Sequence, residues 1–360
     1  MSFAPSSADI LAALADFQDP ETGRNAVQQG QIRDIESSTD GVRLTLALTT
    51  HSSPLRDETH RELEQLLRGK LPALGKLEIR SAVHDRPPVP MGEIGLLAKS
   101  VIAVGSGKGG VGKSTIAAGI AYGLLRSGCK VGILDADVYG PSIPHLLGLR
   151  GRADITEDKK IRPHDLDGLK VMSVGFMVDP DQPVILRGPM LHGAISQMLR
   201  DTAWGQLDYL IIDMPPGTGD IALSLSQILP LTGAVVVCTP QDVALLDAVK
   251  AIAMFRRVNI PVLGMVENMS YFLCPDNGKR YDIFGTGGAK RKAAELNVPF
   301  LGEVPINIQI RVNGDEGKVA GNFSNTETAP HFEGIVATLA RQLRQTMRTT
   351  KPLPTLSIMK

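Results

Sequence analysis

The chain is poor in aromatic residues and in cysteine, and its charges cancel. Of its 360 residues, 4% are aromatic and three are cysteine, and 38 basic residues balance 38 acidic ones. Scarce aromatic side chains argue against a platform that stacks nucleic-acid bases. Zero net charge argues against bulk nucleic-acid binding and against a polybasic membrane anchor. Three cysteines fit a reducing compartment better than a disulfide framework.

The chain also lacks a long apolar run and a recognisable N-terminal leader. No segment approaches the about 18 consecutive apolar residues that a membrane-spanning helix needs. Residues 1–20 have neither the basic start nor the apolar stretch of a secretory signal and, unlike transit peptides, they are neither Arg-rich nor poor in acidic residues. We therefore expect a cytoplasmic protein without stable membrane insertion. Its hydrophobic content of 43% is ample for a core.

A glycine-rich segment is the most informative motif. Residues 107–114 match G-x-x-x-x-G-K-[ST], the phosphate-binding loop, after a strand-like run at 101–104 and before a helix-like run at 116–125. In such a loop, backbone N–H groups and the N-terminus of the following helix surround a polyphosphate. Lys113 is expected to neutralise the β- and γ-phosphates of ATP, and the Ser114 hydroxyl to ligate Mg²⁺. The predicted ATP-binding residues of this loop are Gly107, Gly109, Gly110, Val111, Gly112, Lys113, Ser114 and Thr115.

The loop contains a second lysine, Lys108, which an ordinary phosphate loop does not need. A second cation close to the γ-phosphate would stabilise the charge that develops during phosphoryl transfer. We therefore predict a catalytic role for Lys108 beside that of Lys113. The alternative is a solvated surface lysine.

Three aspartates follow apolar, strand-like runs. Asp135 and Asp137 come after residues 130–134, and Asp213 comes after residues 209–212. Carboxylates at the C-terminal ends of parallel strands lie beside the phosphates. We predict that Asp137 orients the attacking water and that Asp135 and Asp213 belong to the Mg²⁺ site, Asp213 through a water molecule. Taken singly, each carboxylate could instead cap a helix or lie solvated in a loop.

The pattern of apolar runs divides the chain into four parts. Residues 1–83 predict a small α/β module, and the Pro-rich stretch 84–98 predicts a linker. Over residues 99–348, apolar strands alternate with amphipathic helices, which predicts an α/β domain with a doubly wound, mostly parallel sheet. Residues 349–360 are expected to form a flexible tail. Strands of the large domain are expected to begin near residues 101, 130, 170, 207, 233, 261 and 299, and the module is expected to contain helices at 8–17 and 55–67 and strands at 42–48 and 74–79.

Residues 99–344 resemble the Mrp/ApbC branch of the MinD/ParA superfamily of P-loop ATPases, whose members are implicated in iron–sulfur cluster carriage and assembly. The N-terminal module resembles the MIP-type domain that often precedes such ATPases, through Asp19-Pro20-Glu21 and the strand at 42–48. Besides the phosphate loop with its second lysine, the matching segments are 135–144, 186–190, 204–220, 239–245 and 266–272.

The resemblance implies a homodimer closed by ATP, in which Lys108 reaches across the interface to the partner's nucleotide. It also implies that Asn268, expected after a strand at 262–266, hydrogen-bonds adenine; a turn asparagine is the alternative. Arg187 would serve the phosphates or the dimer interface, or would be a solvated or ion-paired arginine.

The sequence departs from this family at the cluster site. The family carries C-P-x-C, and this chain has Cys274-Pro275-Asp276-Asn277, so Asn277 replaces the second cysteine. A dimer would offer two thiolates there, where a [4Fe–4S] cluster usually takes four. Cys274 is thus a possible cluster ligand or an exposed loop thiol. Ser53 likewise stands where the family's module often has cysteine, and Cys129 and Cys238 are expected to be small buried residues.

Three functions remain open from the sequence. The first is a homodimeric ATPase that uses ATP and Mg²⁺ and carries an iron–sulfur cluster to apoprotein clients, without a nucleic-acid partner. The second is a cluster-free, ATP-dependent dimer switch that recruits a protein partner. The third is a redox ATPase that delivers electrons, which would need a complete cysteine pair.

Overall fold

The computed structural model describes residues 4–138, 140–177, 188–217 and 219–349. Contacts divide the chain into two units, one formed by Met1–Arg86 with Ala340–Lys360 and the other by Pro87–Leu339. Arg187 and residues 350–360 of the expected tail lie outside the described residues.

The first unit contains a three-stranded sheet in which β2 is central. β1 pairs with β2 antiparallel, and β2 pairs with β3 parallel. Helix α1 begins with a capping box, because the Ser6 hydroxyl and the Asp9 carboxylate each accept a backbone N–H of the other residue. Leu44 and Leu46 from β2 join Leu63 of α2 in the core. The elements are α1 (Ser7–Ala13), β1 (Ile32–Ser38), β2 (Gly41–Leu48), α2 (Arg56–Lys70) and β3 (Lys76–Val83).

The module differs from its sequence-based prediction in its first helix, in its edge strand and in its last strand, which spans Lys76–Val83 rather than residues 74–79. The first helix ends at Ala13 rather than continuing to Phe17. Strand β1 was not predicted, because it is an edge strand whose residues after Ile32 are mostly exposed and show no apolar alternation. The helix predicted at 55–67 corresponds to α2, in which Thr59, Leu63 and Leu67 are buried.

The second unit is built on a large sheet with the strand order β12-β11-β10-β5-β9-β6-β8-β7, with β13 also paired to β11 and β4 to β5. The pairs among β5, β6, β8, β9, β10, β11 and β13 are parallel, and only β4, β7 and β12 run antiparallel to their neighbours. The predicted doubly wound, mostly parallel α/β fold is confirmed. The strands are β4 (Pro90–Met91), β5 (Leu96–Gly105), β6 (Val131–Asp135), β7 (His164–Leu166), β8 (Leu169–Ser173), β9 (Leu207–Asp213), β10 (Gly233–Cys238), β11 (Val262–Leu273), β12 (Arg280–Tyr281) and β13 (Phe300–Ile306).

Among the described residues, seven α-helices lie wholly within this unit. The central strands β6, β9 and β10 are buried along their whole length, as expected for a sheet inside an α/β fold. In the described part of the chain, no helix combines the length and apolar character needed to cross a bilayer. The helices are α3 (Lys113–Arg126), α4 (Ile143–Leu146), α5 (Gly188–Asp201), α6 (Gly219–Ile228), α7 (Asp242–Arg257), α8 (Gly288–Glu295) and α9 (Ile308–Asp315).

The last helix, α10 (Ala329–Thr349), contributes to both units. From Ala340 onward it belongs to the first unit, where the nearly buried Arg344 lies 3.7 Å from Glu58 and also pairs with Glu62. Contacts therefore end the second unit earlier than the predicted domain boundary at residue 348. Arg344 and its partners Glu58 and Glu62 are more than 280 positions apart, so the pattern of apolar residues could not reveal this contact.

Two strand boundaries differ from expectation in ways that concern the candidate site. β5 begins at Leu96, inside the predicted linker, because Pro90 and Met91 form a short antiparallel strand that pairs with its start. β11 continues to Leu273, so Asn268 lies within this strand rather than after it. The parallel strands nevertheless bring the phosphate loop, Asp135 and Asp213 to one edge of the sheet.

Candidate functional site

The glycine-rich loop joins β5 to α3 and can be formed only by glycine at two positions. Gly112 has φ of 77° and precedes α3, and a Cβ there would lie 2.2 Å from Nδ2 of Asn268. A Cβ on Gly107 would lie 2.1 Å from the backbone oxygen of Asp247 in α7. Sequence and fold thus agree on a turn that leaves backbone N–H groups free of side chains, as a polyphosphate requires.

This loop borders a cleft of about 490 Å³. Most of the predicted nucleotide-binding residues line it, namely Lys108, Gly109, Gly110, Val111, Gly112, Lys113, Ser114, Thr115 and Asp137. Gly107 packs against α7 instead, and Asp135, Asp213 and Asn268 lie behind the cleft wall. Three further lining residues, Pro141, Ser142 and Pro216, belong to segments that matched the family, whereas no role was predicted for Ser106, His145 and Leu146.

Lys113 and Asp213 form a buried ion pair at the base of the cleft. The ammonium group of Lys113 contacts Oδ1 of Asp213 and lies 3.3 Å from the Ser114 hydroxyl. Burial raises the pKa of the Asp213 carboxyl above its ordinary value, although the Lys113 charge acts in the opposite direction. Oδ2 of Asp213 is buried and accepts no hydrogen bond from the residues that the structure describes. A buried carboxylate oxygen without a partner, beside a serine hydroxyl, fits the oxygen-rich surroundings that Mg²⁺ prefers.

Asp135 pairs with Asp213 on the neighbouring strand, and both of its carboxylate oxygens accept backbone hydrogen bonds. Its oxygens accept the backbone N–H groups of Asp137 at 3.1 Å and Ile143 at 3.0 Å, and the Ser173 hydroxyl lies at 3.4 Å. Burial, and then the charge of Asp213, raise the pKa of Asp135 to about 7. In this structure Asp135 therefore orders the segment that carries Asp137, and its assignment to the metal shell stays a prediction.

The two predicted catalytic residues at the cleft mouth are partly exposed. Lys108 is half-buried and forms no ion pair with the residues of its own chain that the structure describes. Its carbonyl oxygen accepts the Ser106 hydroxyl at 2.9 Å, which fixes the backbone of the loop beneath it. Asp137 is half-buried and lines the same cleft as Lys113 and Ser114. Both side chains are thus placed where a bound polyphosphate would be approached from solvent.

Asn268 contacts the phosphate loop directly. Its side chain is 6% exposed, and Nδ2 donates to the carbonyl oxygen of Val111 at 2.9 Å. The predicted contact with adenine stays a prediction, since the described contact of this amide is with the loop.

Cys274 lies in the turn that joins β11 to β12. The turn is closed by backbone hydrogen bonds from Cys274 to Lys279 at 2.9 Å and from Gly278 to Cys274 at 2.8 Å. Oδ1 of Asn277 accepts the backbone N–H of Lys279 at 2.9 Å, so this residue has a structural part in the turn. Among the residues that the structure describes, no group of three or more His, Cys, Asp or Glu side chains could hold a metal ion.

The other two cysteines are buried, as expected from their apolar surroundings. Burial, together with the nearby Glu267, raises the pKa of the Cys238 thiol to about 12. Glu267 itself was missed in the sequence. It is a buried carboxylate whose Oε2 accepts the backbone N–H of Ala289 at 2.7 Å, and burial raises its pKa. A signal in the sequence was its position directly after the apolar run 262–266.

Comparison with known families gives two matches along the chain. Residues 97–340 match the family described as NUBPL iron-transfer P-loop NTPase. Residues 7–80 match the family described as iron-sulfur cluster assembly protein.

Individual relatives are similar over most of their length. An iron–sulfur cluster carrier protein of Deinococcus radiodurans is 44% identical over 349 residues, which covers 96% of this chain and 97% of the relative. The iron–sulfur cluster transfer protein NUBPL of Dictyostelium discoideum is 48% identical over 68% of this chain and 77% of its own. A nucleotide-binding protein of Archaeoglobus fulgidus, solved in complex with ADP, is 43% identical with a TM-score of 0.55, covering 62% of this chain and 88% of that structure.

Proposed function

The chain belongs to the NUBPL iron-transfer P-loop NTPase family, and from this premise we propose that it is a homodimeric ATPase that carries iron–sulfur clusters to apoproteins. The observation that carries the proposal is the cleft in which Lys108, Lys113, Ser114 and Asp137 converge. The clients are proteins that lack their cluster. Cytoplasmic location and the absence of a nucleic-acid partner remain predictions from the sequence.

In the proposed reaction, the loop N–H groups and Lys113 hold the β- and γ-phosphates of ATP. The Lys113 ammonium group has three N–H donors, so it can turn from Asp213 and Ser114 toward the phosphates when ATP binds. Asp137 orients the attacking water, and Lys108 of one protomer stabilises charge on the nucleotide of its partner. Ser114 and Asp213 would hold Mg²⁺, which neutralises phosphate charge when bound.

A cluster-free switch is the second candidate, and Asn277 is the observation that favours it. The side chain at this position is used to close the turn, and each chain places a single thiol there. The same ATP-driven dimer would then recruit a protein partner without cluster chemistry.

Anaerobic reconstitution with iron and sulfide separates the two candidates. For the carrier we expect visible absorbance of an iron–sulfur centre and a stoichiometric iron count per dimer, both lost in Cys274→Ser. Cys129→Ser is the matched control, because that thiol is buried. Absence of iron uptake by the wild-type chain, with ATP turnover intact, would favour the cluster-free switch.

A further inference from the structure

Strand β11 contacts the phosphate loop through Asn268, and Cys274 directly follows the end of this strand. Nδ2 of Asn268 donates to the Val111 carbonyl at 2.9 Å. A Cβ on Gly112 would lie 2.2 Å from the same Nδ2 and 3.7 Å from Cε of Met269. The strand therefore packs against the two residues that immediately precede Lys113, with no space between them.

At this contact the strand is irregular. Met269 has φ of 54°, in the left-handed region that non-glycine residues seldom adopt. Between the pairs Asn268–Val304 and Phe272–Ile306, β11 advances from 268 to 272 while β13 advances from 304 to 306, so β11 carries two extra residues. Such bulges re-aim the side chains that follow them, and strained residues persist only where their surroundings hold them.

The strand beyond the bulge leads to the cysteine turn without a break. The Ser270 hydroxyl donates to the Val304 carbonyl at 3.2 Å, and the guanidinium of Arg280 lies 4.0 Å from the centre of the Tyr271 ring. Leu273 then pairs with Arg280, and Cys274 follows. A change in conformation at Met269 would thus be transmitted to the turn through paired strands.

We infer that Asn268 is a positioning residue that acts through the Val111 carbonyl, and that the bulge at Met269 couples the phosphate loop to the exposure of the Cys274 thiol. The inference rests on the proposed function, because it presumes that a nucleotide occupies the loop. Nucleotide binding fixes the Val111 carbonyl and, through Asn268, the bulge. Because side chains alternate along a strand, a change in the bulge alters the direction in which Cys274 points.

Inorganic tripolyphosphate tests the first half of the inference, since it occupies the loop and has no base. Asn268→Ala should weaken binding of ATP and of tripolyphosphate by a similar factor, about fivefold for the loss of one hydrogen bond. Weaker ATP binding with unchanged tripolyphosphate binding would assign Asn268 to the base alone and overturn the positioning role.

Alkylation of Cys274 by iodoacetamide tests the second half. The rate is measured by mass spectrometry of the Cys274 peptide, with the buried Cys129 and Cys238 as internal references. Saturating ADP is used at a protein concentration at which light scattering shows a monomer, so that dimer closure does not contribute. We expect ADP to change the rate by about fivefold, the lower end of typical coupling between sites.

Met269→Gly should reduce the effect of ADP to less than about twofold. Glycine adopts left-handed and right-handed backbone conformations with similar ease, so the bulge would no longer transmit a change at the phosphate loop to Cys274. Asp167→Gly is the matched control, since Asp167 has φ of 53° in the turn between β7 and β8, and the ADP effect should persist there. An equal rate with and without ADP, or an effect that survives Met269→Gly, would overturn the coupling. A wild-type chain that bound no ADP would overturn the proposed function as well, and binding measured on the same samples distinguishes the two results.

Discussion

Two parts of the second unit are built in different ways. One is the edge of the sheet that carries the phosphate loop, and the other is the turn that carries Cys274. At this sheet edge, Lys113, Asp135 and Asp213 are buried, Lys113 pairs with Asp213, and Asp135 accepts the backbone N–H of Asp137. The Cys274 turn is closed by backbone hydrogen bonds and is largely exposed from Leu273 to Arg280. A buried charge cannot be replaced without leaving its partner uncompensated, whereas an exposed turn tolerates exchange. In this chain the turn is held by its backbone hydrogen bonds and by the Asn277 side chain, without a thiol at position 277.

The largest effect is expected from breaking the buried ion pair. Lys113→Ala should abolish binding of ATP and ADP, because the phosphate charge loses its buried cation and Asp213 loses its partner. Isothermal calorimetry and phosphate release measure the result. Lys250→Ala is the control, since the exposed Lys250 pairs with Asp247. Wild-type turnover in Lys113→Ala would refute the assignment of the phosphate loop.

Changes at the cleft mouth should separate binding from hydrolysis. Lys108→Ala and Asp137→Ala should each lower turnover by about 10²–10³-fold, the usual cost of one transition-state contact, while nucleotide binding persists. Lys108→Ala is expected to stay monomeric with ATP, and Asp137→Ala to accumulate as a closed dimer, which size-exclusion chromatography distinguishes. If wild-type turnover per chain did not fall on dilution below the dimerisation constant, Lys108 would not act across the interface.

A second cysteine in the Cys274 turn should make a reconstituted cluster more stable. Asn277→Cys gives a dimer four thiolates at the turn, so a reconstituted cluster should resist a chelator about tenfold longer than in the wild-type chain. Loss of the bond from Asn277 to the Lys279 N–H should cost about 1 kcal/mol of stability. Iron release followed by absorbance gives the result. Asn277→Ser, which removes the amide without adding a thiol, is the control and should not prolong retention.

The smallest effect concerns the pH dependence of stability without nucleotide. The pKa of Asp135 is raised from 3.8 to about 7 in the folded chain. Between these two pH values, the folded chain keeps the proton on this carboxyl while the unfolded chain has lost it. The contribution of this protonated carboxyl to the free energy of unfolding is fully present below the ordinary pKa of 3.8 and is lost as pH rises toward about 7. In Asp135→Asn, the free energy of unfolding from urea titrations should therefore fall less over this range. Asp165→Asn, at an exposed carboxylate, should keep the wild-type slope; an unchanged slope in Asp135→Asn would contradict the assignment.

The sequence predicted best what depends on neighbours in the chain or on the ends of parallel strands. The phosphate loop is contiguous, and Asp213 could be placed beside it because parallel strands end at one edge. The bond from Asn268 to Val111 could not be foreseen, because the two residues are 157 positions apart and meet only where β11 packs against the loop. The use of both Asp135 oxygens by backbone N–H groups was equally hidden, since it depends on how the segment up to Ile143 folds back.

The division of α10 has a consequence for how this chain can be rearranged by recombination. A gene fragment that ended at Arg86 would encode the module's sheet without Arg341 and Arg344, and would leave Glu58 and Glu62 without those two cations. A version of the module designed to fold by itself should therefore include residues 340–349, or carry uncharged residues in place of Glu58 and Glu62.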